Sequence, residues 1–148
     1  MKKLTAFSLA LALCAALSTP ALAADDDRKV EITTHIDPTY TVSIPKDMTV
    51  KFNATDTEFG AITLSAAQLD PGKVVNVALN ASGTLKNKVD ENKTIAYTIL
   101  NGKTEFASAK YTTAGSNTAL TIHIDQDAWN KAYAGSYTDT VTFTISYE

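Results

Sequence analysis

The chain has 148 residues, with 13 basic and 16 acidic side chains, two histidines and one cysteine, for a formal net charge of −3 at pH 7. A single cysteine excludes an internal disulfide framework. The acidic balance, with no basic patch, argues against nucleic acid or an anionic surface as partner.

The amino terminus comes first in chain order. MKK is a short basic region, LTAFSLALALCAALS an apolar stretch, and STPALA closes on Ala21-Leu22-Ala23, the small-x-small pattern cut by signal peptidase. The apolar run is shorter than the ~20 residues of a membrane span, so a cleaved signal peptide over residues 1–23 is predicted, with no stable span after its removal. Cys14 lies inside the apolar core, preceded by Leu13, and is discarded with the signal. Loss of Lys2 and Lys3 leaves 11 basic against 16 acidic side chains and a net charge of −5. Residues 24–29, including Asp25-Asp26-Asp27, read as an acidic flexible leader. Residues 30–148 then form one domain of ordinary size. The carboxyl end carries no second apolar span and no LPxTG-like stretch, so no anchor is expected there.

Period-2 alternation of β-branched and aromatic residues dominates this body. Val30, Ile32 and Ile36 alternate in VEITTHID, and Tyr40, Val42 and Ile44 in YTVSIP. Val50 and Phe52 suggest a short strand, Ile62 and Leu64 another. KVVNVALN, TIAYTILN and ALTIHID follow, and Val141, Phe143, Ile145 and Tyr147 complete the last run. Turn residues punctuate these runs at Pro38, Pro45-Lys46-Asp47, Asp70-Pro71-Gly72, Asn101-Gly102 and Gly115-Ser116-Asn117. Asn101-Gly102 is the strongest hairpin signal, as the pair at the centre of a two-residue turn. Only DQDAWNKAY reads as helical, and Trp129 within it is predicted to plug an open end. The fold class is all-β: an antiparallel immunoglobulin-like β-sandwich of about 7–9 strands with one short helix near Trp129. Thr138, Thr140, Thr142 and Thr144 form an outward row on the last strand.

Residues for chemistry are scarce. Without a cysteine in the mature stretch, and with only His35 and His123, the material for nucleophilic triads and most transition-metal sites is missing. His123 and Asp125 share the outward face of a strand and read as a solvated pair. Asp125-Gln126-Asp127 and Asp56-Thr57-Glu58 lack the spacing of a calcium loop. Asp127 is better placed as an acidic residue near a helix start. No enzymatic activity, metal or cofactor is predicted. Asn53-Ala-Thr55, Asn80-Ala-Ser82 and Asn92-Lys-Thr94 match the glycosylation pattern, as arises by chance in a chain rich in Thr and Asn.

Three stretches carry a resemblance. AGSYTDTVTFTISYE, with Gly135 fourteenth from the end and Tyr147 penultimate, resembles the terminal strand of spore-coat-U-like and other chaperone–usher pilins. VEITTHIDPTYTVSIP resembles the N-terminal extension and first strand of cysteine-free pilins of the colonisation-factor type. The resemblance implies that Gly135 and Tyr147 are read by an assembly chaperone. It also implies that residues 30–37 donate Val30, Ile32 and Ile36 to the next subunit's sandwich. Over residues 30 to 148 the chain is also similar to small secreted immunoglobulin-like proteins of Gram-positive bacteria.

Two functions follow as expectations. The first is a non-enzymatic exported surface or structural protein, a pilin-like subunit assembling by strand exchange with copies of itself or a related subunit, with an assembly chaperone as further partner. The second is a monomeric secreted binding module for carbohydrate or a cell-surface ligand, for which Tyr97, Tyr111, Tyr133 and Tyr137 are the candidate aromatics. The leader can equally serve as the domain's own first strand, because Val30, Ile32, Ile36, Tyr40, Val42 and Ile44 share one parity. Both readings place the chain outside the cell or on its surface.

Overall fold

The computed structural model describes residues 29–148. The predicted signal segment therefore lies outside the described residues, as does most of the acidic leader. The chain divides into two units, Met1–His35 and Ile36–Glu148. In the first, residues 29–35 are exposed and carry no strand.

The second unit is an antiparallel β-sandwich. Its strands are β1 (Thr39–Ser43), β2 (Asp56–Gln68), β3 (Val75–Asn80), β4 (Thr84–Asn87), β5 (Thr94–Ala96), β6 (Thr98–Asn101), β7 (Thr104–Glu105), β8 (Ser108–Tyr111), β9 (Asn117–His123), β10 (Tyr137–Thr138) and β11 (Thr142–Tyr147). One helix, α1 (Gln126–Asn130), precedes β10. A five-stranded sheet runs β1-β2-β9-β6-β7, one three-stranded sheet β11-β3-β8, and a second β10-β4-β5. Counting β5 and β6 as one interrupted run, and setting aside the two-residue β7 and β10, leaves eight strands.

The alternation places one face of each strand inside. Ile62 and Leu64 of β2, Leu120 and Ile122 of β9 and Ile99 of β6 meet Val75 and Val77 of β3 and Tyr111 of β8 in one buried cluster. Side chains of this kind each contribute roughly 1.5–3 kcal/mol on burial. A buried polar bridge joins the two layers: the Tyr111 hydroxyl donates to Thr118 Oγ1 at 2.6 Å.

Two alternating runs that look continuous in sequence are split between sheets. TIAYTILN breaks at Tyr97, so β5 joins the small sheet and β6 the large one. The final run breaks at Asp139–Val141, so Thr138 belongs to β10 while Thr142 and Thr144 belong to β11, and the expected single threonine row does not form. A third crossing lies between β3 and β4. All three crossings meet at one point. Asp139 Oδ2 accepts from the Tyr97 hydroxyl at 2.6 Å and from Ser82 Oγ at 2.7 Å, and the Tyr97 N–H donates to the Gly83 carbonyl at 2.9 Å. Burial and the adjoining Asp139 carboxylate push the Tyr97 phenol well above its ordinary range. Burial alone would raise the Asp139 carboxyl, but hydrogen bonds from Tyr97, Ser82 and the Thr140 backbone, with the Lys86 charge, outweigh it and hold the group below its usual value.

Two local expectations are corrected. Asn101 pairs with Thr104, so the turn's central residues are Gly102-Lys103, and Gly102, at φ 62°, takes the first central position, which a side chain would strain. No strand forms around Val50 and Phe52. Those residues lie in the β1–β2 connection, where the Ala54 N–H closes a turn on the Lys51 carbonyl at 3.2 Å. Trp129 does close one end of the sandwich, 8% exposed, with its indole N–H donating to the Ala54 carbonyl at 2.9 Å.

Candidate functional site

A sandwich has two long sides where its sheets come to an edge, and here they differ. On one side the chain itself crosses between sheets: the Phe106 N–H donates to the Ile99 carbonyl and the Leu79 N–H to the Ala107 carbonyl, both at 2.8 Å. The other side is bounded by β1 and β11, edge strands of different sheets, with no described strand between them.

The hydrogen-bond register of β11 fixes what this edge presents. Glu148 and Val74 exchange both backbone bonds, each at 3.0 Å, in continuation of the β11–β3 ladder. In an antiparallel ladder such double-bonded pairs recur at every second residue. Residues 142, 144, 146 and 148 therefore bond to β3, while the N–H and C=O groups of Phe143, Ile145 and Tyr147 point away from it. Their side chains lie on the core face. Ile145 stands directly opposite Val77 in the register, yet Val77 is 0% exposed and Ile145 40%. Among the described residues, apolar cover is thus incomplete over Ile145.

Aromatic pairs span the gap at both ends. Tyr40 of β1 stacks on Tyr147 at 5.9 Å, and Phe59 of β2 lies 6.2 Å from Phe143. Tyr147 is fixed through its hydroxyl, which accepts from the Asp70 N–H at 2.8 Å and donates to Asp70 Oδ2 at 3.0 Å. The Lys110 ammonium, 3.1 Å from Glu148 Oε2, pins the last side chain. Tyr40 and Ile44 of the facing chain are exposed, so the gap is apolar along both walls.

Of the five residues singled out in the sequence, Tyr147 alone lies on this edge. Val30, Ile32 and Ile36 are exposed and precede β1, outside any strand. Gly135 precedes β10, where it crosses closely over buried Asn87: a Cβ at that position would fall 2.4 Å from Asn87 Nδ2. The uncovered Ile145 and the wall residues Phe143, Tyr40 and Phe59 were not singled out. For Phe143 and Ile145 the shared parity along the last run was the available signal, but alternation cannot say which strand lacks a neighbour.

The other sequence candidates fall elsewhere. Tyr97 and Tyr111 are core residues, the Tyr137 hydroxyl is bonded to the backbone of Tyr133, and Lys93 lies over the exposed Tyr133 ring at 4.4 Å. His123 is not simply solvated. Its Nδ1 lies 2.8 Å from Asp56 Oδ1 and its Nε2 3.3 Å from Asp125 Oδ1, and the Asp56 hydrogen bond chiefly raises its pKa. With the two nitrogens directed at different carboxylates, these groups do not converge on one point. Among the described residues no group of three or more His, Cys, Asp or Glu side chains could hold a metal ion, and no helix is long and apolar enough to cross a membrane.

No protein-family model matches the chain, and no curated protein matches it. Among solved structures it is similar to a chain described as part of a chaperone–tip adhesin complex in the biogenesis of CFA/I fimbriae. Identity is 12% and the TM-score 0.46, over 72% of this chain and 42% of that one. This chain thus spans less than half the length of the neighbour.

Proposed function

We propose that the chain is a non-enzymatic, exported surface or structural subunit that assembles by β-strand exchange, the β1–β11 gap accepting a strand from another copy. In this reading residues 1–23 direct export and are removed, and residues 24–29 are a flexible acidic leader. Residues 30–37 are the donated strand, with Val30, Ile32 and Ile36 as its anchors. The observation that carries the reading is the β11 edge, where three residues direct backbone donors and acceptors away from β3 beside a half-exposed Ile145. Such an edge is a template for an added strand, whose main-chain bonds supply affinity and whose alternate side chains supply specificity. Val30, Ile32 and Ile36 have the even spacing that places all three on one face of such a strand.

The test is light scattering on the exported chain at several concentrations, beside a variant lacking residues 24–37 and an Ile145→Lys variant. Oligomers or fibres are expected of the chain alone, with both variants folded and monomeric, because Lys at this half-open position is tolerated in the monomer but obstructs an incoming strand. A concentration-independent monomer of the unaltered chain, or polymers persisting in the deletion, would overturn the reading.

A further inference from the structure

The end of the sandwich closed by α1 carries a feature unconnected with the open edge. In the turn Lys51–Ala54 the two central residues are Phe52 and Asn53. Asn53 has φ 67°, the sole positive φ outside glycine among the described residues. This left-handed backbone holds Phe52 at the tip, 81% exposed, where only its approach to Trp129 is covered: the rings lie 5.6 Å apart at 78°. A core-type side chain is thus displayed rather than buried, on a turn held in a sparsely populated backbone conformation.

Three amides are linked beside this turn. Gln126 Nε2 donates to Asn53 Oδ1 at 2.5 Å and to Asn130 Oδ1 at 3.3 Å, which ties the turn to α1. With these bonds made, Asn53 Nδ2 and Asn130 Nδ2 remain as donors and Gln126 Oε1 as acceptor, all three on exposed residues. The two segments that build the patch, 51–54 and 125–131, carry Lys51 and Lys131 against Asp125 and Asp127, and so no net charge.

We infer that Phe52, Asn53, Gln126 and Asn130 form a binding site for an uncharged pyranose sugar. A sugar ring has an apolar C–H face that packs on an aromatic face and hydroxyl edges that both donate and accept, as amides do. The balanced charge favours a neutral hexose over an acidic sugar. The hydrogen bonds through Gln126 link the amides to one another and to the turn that carries Phe52 before any ligand arrives, which limits the ordering cost of binding. This site is distinct from the tyrosines that the sequence suggests for such a role.

The test is an amide-resolved NMR titration of the protein with three separate probes: methyl α-mannopyranoside, methyl β-galactopyranoside and methyl α-glucopyranoside. Ligands of this size bind in the millimolar range, so concentrations up to about 100 mM are needed. At least one probe is expected to give saturable shifts at Phe52, Asn53, Gln126, Asn130 and the Trp129 indole. Phe52→Ala, at an exposed position, should keep the folded spectrum and weaken binding about tenfold or more. Gln126→Ala should weaken it as well, while Val89→Ala, an exposed apolar residue elsewhere, should leave it unchanged. Absence of saturable shifts with all three probes, shifts confined to other regions, or binding that survives Phe52→Ala would overturn the inference.

Discussion

Asp139 joins three crossings between sheets through one carboxylate oxygen, so its substitution should cost more than its half-exposed surface position suggests. Asp139→Ala removes the bonds to Tyr97 at 2.6 Å and Ser82 at 2.7 Å. A hydrogen bond to a charged group contributes about 1.5–3 kcal/mol, and the Tyr97 hydroxyl, on a residue otherwise in the core, loses its partner at a further cost of about 1–3 kcal/mol. Water reaching the half-buried site tempers the charged part. The expected loss is therefore ~3–4 kcal/mol for Asp139→Ala and ~1–2 kcal/mol for Asp139→Asn, which can still accept both bonds as a neutral amide. Urea unfolding followed by fluorescence of Trp129, the single tryptophan, measures both. A cycle with Tyr97→Phe isolates the pair, for which coupling of ~1–2 kcal/mol is expected. Because the folded Asp139 pKa is depressed, the stabilisation is present above its unfolded value of about 3.9 and fades as pH falls through the folded one. A loss below ~0.5 kcal/mol in Asp139→Ala, or a cycle additive within ~0.3 kcal/mol, would refute the pinning role.

Gly135→Ala should destabilise the fold by about 2–4 kcal/mol in the same assay. It places a Cβ 2.4 Å from Asn87 Nδ2 at φ 144°, and Asn87 cannot yield without disturbing the Val89 N–H bond to its Oδ1 at 2.9 Å. If Gly135 serves only recognition by an assembly chaperone, stability is unchanged. His123 gives a pH dependence of opposite sign to that of Asp139. Its folded pKa is raised, first by the Asp56 hydrogen bond, so its contribution is complete below the unfolded value of about 6.5 and is lost as pH rises through the folded one. The fall in Tm across that interval should flatten in Asp56→Asn, and NMR titration of the His123 ring should show its pKa dropping in that variant.

The β class, most strand positions, the short helix and the end-plugging Trp129 were legible in the residues themselves. Period-2 alternation, turn chemistry and one short helical segment are local properties, written within a few neighbours. Locality is also where the reading failed. TIAYTILN reads as one alternating run, and in GSYTDTVTFTISYE only Asp139 breaks the apolar parity, yet each run changes sheet midway, where Tyr97 and Asp139 bond to each other across 42 residues. Val50 and Phe52 have strand parity, but the turn closed at Ala54, and the tie from Gln126 to Asn53, lift Phe52 away from the core. Alternation marks Phe143, Ile145 and Tyr147 as one face without saying what lies beside it. The sequence by itself thus determined which side chains turn inward on each strand. Tertiary structure alone decided which strand became an edge and which aromatic remained in water, since strand order and register depend on pairing partners far apart along the chain.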